Sequence, residues 1–145
     1  MSNYAENKKI YFDYEILEKY EAGIQLLGTE VKSIRAGRML LKGSFVIIRG
    51  GEAFLINAQI PAYQEKNAPT DYDPLRNRTL LLSKKEILEL ALIDKNKSLT
   101  IVPISVYNSK RKIKIGIAVA KGKKQYDKRE SIKKRDIDRE NKRGL

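Results

Sequence analysis

Short β-branched and aromatic runs, each closed by a turn signal, occupy most of this chain and restrict it to a mainly β architecture. Residues 45–49 and 53–60 are apolar and β-branched and flank Gly50-Gly51-Glu52. Glycine reaches the positive φ angles of a tight turn at no steric cost, so this stretch reads as a β-hairpin. Leu99 to Val106 and Lys112 to Val119 form two further strands, joined by the polar turn Asn108-Ser109-Lys110-Arg111. From Ile10 to Leu27 the pattern is again strand-like: Tyr11, Phe12 and Tyr14 supply aromatics, and Gly23-Ile24-Gln25-Leu26-Leu27 an apolar run. Leu80-Leu81-Leu82 reads as a core strand.

Two helices interrupt this pattern. In Gly28-Thr29-Glu30-Val31-Lys32-Ser33-Ile34-Arg35-Ala36-Gly37, Thr29 suits an N-cap, Glu30 the positive end of the helix dipole and Gly37 the left-handed C′ position. Val31 and Ile34 give it one apolar side and leave Lys32 and Arg35 on another. Ser83-Lys84-Lys85-Glu86 is a capping box, in which hydroxyl and carboxylate satisfy each other's free amides. Ile87, Leu88, Ala91 and Leu92 follow as its apolar face. Residues 61–78 hold three of the four prolines and no periodicity, which predicts a long surface loop. At 145 residues the chain is one domain's worth. Its elements predict a mainly β, α+β fold: a small Greek-key barrel with helices packed on it.

Charge narrows the partners. The 30 Lys+Arg against 18 Asp+Glu give +12, which favours polyanions. Eleven Lys+Arg and five acids fall in residues 121–145, so half of that net charge sits in the last sixth of the chain. Ile132 and Ile137 are its only aliphatics before Leu145, too few to pin a helix to the body. The segment therefore divides off as a basic C-terminal tail, disordered when free and helical on a polyanion. Residues 1–9 read as a flexible N-terminal segment and 10–120 as the barrel. Tyr126 lies inside a basic run, where a ring can stack on a base while its neighbours neutralise phosphates.

Cysteine and histidine are both absent. That removes disulfides, thiol chemistry, soft zinc ligands and the usual general base near neutral pH. Asp71 and Asp73 sit in the proline loop without a phosphate cradle or nucleophile, so the chain reads as a binding protein rather than an enzyme, with no cofactor and no metal. No apolar run approaches the ~20 residues of a membrane helix, and the N-terminus lacks the apolar core of a signal sequence. The expected location is cytoplasmic, with no membrane partner.

Four collinear segments carry a resemblance. Glu21-Ala22-Gly23-Ile24 with Gly28 to Gly37, Asp73-Pro74-Leu75-Arg76-Asn77-Arg78 with Leu80-Leu81-Leu82, Ala120-Lys121-Gly122-Lys123-Lys124, and Asp127-Lys128-Arg129-Glu130 together resemble the signature of the SsrA-binding protein (small protein B) family. The match runs from about Asn7 to the end. The resemblance implies an OB-fold-like closed antiparallel barrel with flanking helices. It also implies a role in bacterial trans-translation, the rescue of stalled ribosomes. Members bind the tRNA-like domain of transfer-messenger RNA and bring its alanyl-charged form, with elongation factor Tu and GTP, to ribosomes stalled without a stop codon. The tail enters the small-subunit decoding region and the empty mRNA channel, so that incomplete polypeptides are tagged for degradation.

Carried over by position, the resemblance implies an RNA-binding set of Asn7, Glu21, Lys32, Arg35, Phe45, Leu81 and Lys114. It implies a ribosome-binding set of Gly122, Tyr126, Asp127, Lys128 and Arg129. Phe45 replaces an expected tyrosine, keeping the ring and losing the hydroxyl. Tyr72 and Ser83 stand where many members have histidine, and the tail stops at Arg143-Gly144-Leu145. Two other readings stay open on the residues themselves. One is a generic rRNA-binding or ribosomal protein, which shares the charge and the barrel. The other is an RNA-modifying enzyme, disfavoured by the missing His, Cys and nucleotide motif.

Overall fold

The computed structural model describes residues 3–64 and 71–123. In chain order its elements are β1 (Ala5–Glu6), α1 (Ile10–Asp13), β2 (Tyr14–Ile24), α2 (Gly28–Arg35), β3 (Phe45–Arg49), β4 (Glu52–Ile56), β5 (Arg78–Leu81), α3 (Lys84–Asp94), β6 (Leu99–Ser109) and β7 (Lys112–Gly122). The strands pair antiparallel in the order β6-β3-β4-β5-β2-β7, and β7 pairs back onto β6. The sheet is thus a closed barrel with flanking helices, as expected, and closure removes the exposed strand edges that invite aggregation. Alternation fills the inside. Ile113, Ile115, Ile117 and Val119 of β7 point inward with Ile101 and Val106 of β6, Val46 of β3 and Leu55 of β4, and all are buried. No helix among the described residues is long and apolar enough to cross a membrane.

The N-terminal segment departs from its loose reading. Ala5 pairs with Val106 and Glu6 with Ser105 on β6, and the Asn7 amide donates to the Ile104 carbonyl at 2.8 Å. Ile10 to Asp13 is a helical turn rather than a strand. It folds back over the outer face of β7, where Ile10 packs with Val102 and Ala120, and Tyr14 and Ile16 lie against them. Aromatic content was compatible with either state. Burial of Ile10 against strands about a hundred residues further on made the choice.

Both hairpins close with two-residue turns. Arg49 pairs with Glu52 across Gly50-Gly51, whose φ angles are 58° and 76°. Ser109 pairs with Lys112, so the second turn is only Lys110-Arg111 and both strands run further than their apolar residues indicated. In α2 the N-cap is Leu27 rather than Thr29, and Glu30, at the third helical position, accepts the Leu27 amide at 2.8 Å. Gly37 (φ 76°) ends the helix as expected: its amide donates to Ile34 and that of Arg38 to Ser33 at 3.1 Å.

The capping box of α3 forms, with Ser83 Oγ accepting the Glu86 amide at 3.2 Å and Glu86 Oε1 the Ser83 amide at 3.1 Å. The helix presents a different side to the barrel from the one its periodicity selected. Leu90 is fully buried and Ile87 and Ile93 half-buried, whereas Leu88 and Leu92 are 68% and 72% exposed. Two polar ties accompany this rotation: the Tyr20 hydroxyl donates to Glu89 at 3.0 Å, and Asp94 accepts the Ile48 amide at 3.3 Å.

A buried ion cluster joins α2 to the chain entering β5. Glu30, with no exposed surface, accepts from Arg78 Nε at 2.9 Å and Nη2 at 2.6 Å, and from Arg76 Nε at 3.0 Å. Arg78 is equally buried and also donates to the Ala58 carbonyl at 2.8 Å. The Tyr72 hydroxyl donates to the Ile60 carbonyl at 2.6 Å and accepts from Arg78 Nη2 at 3.3 Å. Two of the four resembling segments are therefore bound to each other inside the protein. Arg76 and Arg78 are framework groups here, and Tyr72 supplies a structural hydroxyl where an imidazole was missing.

Candidate nucleic-acid interface

The long strands β2, β7 and β6 run side by side, and their outward residues floor a cleft of about 700 Å³. Register decides what meets there. Glu21 lies opposite Gly116, which lies opposite Ser105; two residues along, Gly23 lies opposite both Lys114 and Leu81, and Lys114 opposite Tyr107. Side chains two apart share a face, so these residues form two adjoining rows on one surface. The Tyr107 ring lies over the strand at Gly116. A Cβ there would stand 3.7 Å from Tyr107 Cε1. The Tyr107 hydroxyl reaches Glu21 and donates to its carboxylate.

Burial pushes the Tyr107 hydroxyl up to about 12, and its hydrogen bond to Glu21 and that carboxylate's charge act in the same direction. At neutral pH the tyrosine is a fixed donor that orients the acid. At Gly23 a Cβ would come 3.2 Å from Leu81 Cβ, so the glycine leaves room for Leu81 to lie against β2 with 52% of its surface still exposed.

The other wall comes from the N-terminal segment. Asn7 lines the cleft and is held by its side-chain amide donating to the Pro103 carbonyl at 3.1 Å. Tyr11 and Lys19 stand together, with Lys19 Nζ 5.5 Å from the centre of the Tyr11 ring. The surface combines an oriented carboxylate, exposed apolar and aromatic groups, and the cations Lys8 and Lys19. Chemically it can accept from base amino groups or a 2′-hydroxyl, stack against an unstacked base and neutralise phosphates.

Of the seven transferred RNA-binding residues, Asn7 and Glu21 line the cleft, and Leu81 and Lys114 lie beside it in the adjoining row of the same sheet surface. Lys32 and Arg35 lie on the exposed side of α2, outside the cleft. Phe45, half-buried, opens β3, separated from β2 by β4 and β5. Of the ribosome-binding set, Gly122 ends β7 opposite Tyr14. Tyr126, Asp127, Lys128 and Arg129 lie outside the described residues. Tyr107, Tyr11 and Lys19 were not identified from the sequence. Recognising the two-residue turn at Lys110-Arg111 would have placed Tyr107 opposite Lys114.

Comparison with known proteins agrees with the resemblance. The family model described as SmpB protein matches residues 4–145. The SsrA-binding protein of Thermosipho africanus is 55% identical over 136 residues, covering 93% of this chain and 91% of that protein. That of Latilactobacillus sakei is 48% identical over 141 residues, covering 97% and 90%. A solved chain described as "tmRNA-SmpB: a journey to the center of the bacterial ribosome" matches with a TM-score of 0.69 at 42% identity, over 88% of this chain and 92% of that one. With residues 4–145 matched in sequence and its barrel matched in structure, this chain belongs to the SmpB protein family.

Proposed function

We propose that this protein binds the tRNA-like domain of transfer-messenger RNA through the β2–β7–β6 face and delivers that RNA to stalled ribosomes in trans-translation. The supporting observation is the Glu21–Tyr107 pair. A basic protein that orients a carboxylate on an outward face beside rings and lysines is suited to reading RNA groups other than phosphate. On this reading Asn7, Glu21, Leu81 and Lys114 contact the RNA directly, and Lys32, Arg35 and Phe45 contribute from neighbouring elements. Elongation factor Tu with GTP joins through the alanyl-charged RNA, and the work is done in the cytoplasm as binding rather than catalysis. Sequencing the RNA that co-purifies with the protein tests the reading. Enrichment of transfer-messenger RNA over bulk rRNA supports it, and enrichment of rRNA alone removes it.

Salt titration gives a quantitative check. If the body neutralises about four to six phosphates, log affinity falls against log salt with a slope of roughly −3 to −5. A flat response would remove Lys32, Arg35 and Lys114 as phosphate contacts.

The ribosome-facing role belongs to residues 121–145 in the same proposal. Lys123 donates its backbone amide to the Asp13 carbonyl at 2.9 Å and its ammonium to the Tyr11 carbonyl at 3.0 Å, so the last described residue is held beside α1. Removing residues 124–145 keeps those bonds. The truncated protein is expected to retain its melting temperature and its affinity for the tRNA-like domain within about threefold, since the barrel face is untouched. It is expected to lose tagging of stalled chains in a reconstituted translation assay. Tagging at the parental rate would show that the tail is dispensable.

A further inference from the structure

The two hairpins of this barrel solve the same geometric problem with opposite residues. A two-residue hairpin turn of type I′ needs positive φ at both central positions, which favours Asn-Gly or Gly-Gly. The β3–β4 turn meets the need with Gly50-Gly51. The β6–β7 turn places Lys110 at φ 51° and Arg111 at φ 67°, a conformation that side chains with a Cβ rarely adopt, and here it is adopted twice in succession. Neither residue makes an ion pair among the described residues, and Lys110, Arg111 and Lys112 are all exposed. The β6–β7 ladder holds the turn in place, and no ion pair of either side chain among the described residues adds to it. Residues held in such conformations concentrate where the side chain has a use outside the protein's own packing.

Position indicates that use. The turn continues directly from the Tyr107–Lys114 pair through Asn108–Ile113 and Ser109–Lys112, three rungs or roughly 10 Å along the ladder. It stands at the far end of β7 from Gly122, so it belongs to the end that carries Lys114, Glu21 and Leu81. Three consecutive exposed cations on a hairpin tip beside a face of RNA-reading chemistry form a compact anion-gripping feature. The planar guanidinium of Arg111 is suited to bidentate phosphate contact.

We propose that Lys110, Arg111 and Lys112 form a phosphate-binding tip that holds the backbone of the same RNA whose bases or 2′-hydroxyls meet Glu21. The strain of the turn is kept because Asn-Gly would close the hairpin better but carry no charge. This inference rests on the reading of the β2–β7–β6 face as the RNA interface.

The test uses the full chain and a transcript of the tRNA-like domain of transfer-messenger RNA, with affinity measured at several salt concentrations. The double variant Lys110→Asn/Arg111→Gly installs the preferred turn residues, so it folds at least as well as the parent. Its melting temperature is expected to rise by about 4 °C or more. Its affinity at physiological salt is expected to fall about ten- to thirtyfold, with a salt slope shallower by about 2. The exchange Lys110→Arg/Arg111→Lys keeps both charges and is expected to stay within about threefold of the parent. If the parent binds tightly and the Asn-Gly variant matches it in affinity and slope, the tip holds no phosphate and the proposal is overturned, while the interface reading stands. If the parent itself does not bind the transcript, that reading fails and the proposal fails with it.

Discussion

Glu30→Ala is expected to destabilise the fold by about 3–5 kcal/mol, the range for removing one partner of a buried ion pair. The Arg78 guanidinium would remain fully buried with the Ala58 carbonyl and the Tyr72 hydroxyl as its remaining partners. The Leu27 amide at the start of α2 would lose its acceptor as well. Against a typical total of about 5–15 kcal/mol, that is a large share. Urea denaturation checks it: the midpoint should fall with the slope unchanged. Glu30→Gln keeps the shape but not the charge, and should recover only a small part of the loss. An unchanged midpoint for Glu30→Ala would mean that Arg78 finds another counter-charge.

The same cluster sets a pH dependence. Burial raises the Glu30 carboxyl, but hydrogen bonds from Arg76, the Leu27 amide and Arg78 outweigh it and hold the group below its ordinary 4.5. A depressed folded-state value means that the carboxylate stabilises the fold above the unfolded value. That contribution is complete above about pH 4.5 and is lost as pH falls through the folded value. Acid unfolding of the parent should therefore show a component that Glu30→Gln lacks.

Glu21→Ala is expected to weaken binding of the tRNA-like domain by roughly ten- to a hundredfold, although charge alone predicts the opposite. Relief of repulsion from screened phosphates is worth well under ~1 kcal/mol for an exposed acid at physiological salt. A hydrogen bond to a charged group contributes about 1.5–3 kcal/mol, and each ~1.4 kcal/mol is tenfold in affinity. The Tyr107 hydroxyl strengthens the expectation, because it holds the carboxylate in place before RNA arrives and reduces the ordering cost of binding. Thermal stability should change little, since the pair is on the surface. Tyr107→Phe should weaken binding by a smaller factor. A double-mutant cycle of the two should be strongly non-additive if the tyrosine acts through the acid. Affinity equal to or tighter than the parent for Glu21→Ala would make the carboxylate a bystander and remove the centre of the proposed face.

What could be read without coordinates was what depends on near neighbours. The Gly50-Gly51 turn, the Ser83–Glu86 capping box and the Gly37 helix end each follow from residues within four positions of one another. The β class followed from short apolar runs between turn signals, and the family from four collinear segments. What only the tertiary structure decided depends on partners distant in the chain. α3 turned Leu90 inward and left Leu88 and Leu92 in solvent, because its rotation has to suit Tyr20 and Ile48 as well as its own periodicity. Ile10 became helical because Ala120 and Val102 were there to cover. Glu30 looked like a dipole-matching acid until Arg76 and Arg78 arrived from 46 and 48 residues further along the chain. Tyr107 reached Glu21 across 86 residues because a two-residue turn set the register of β6 and β7, and β7 in turn paired with β2. Local backbone preferences are encoded within a few residues; register and helix rotation are set by packing distant segments together, and that packing built both the ion cluster and the candidate interface.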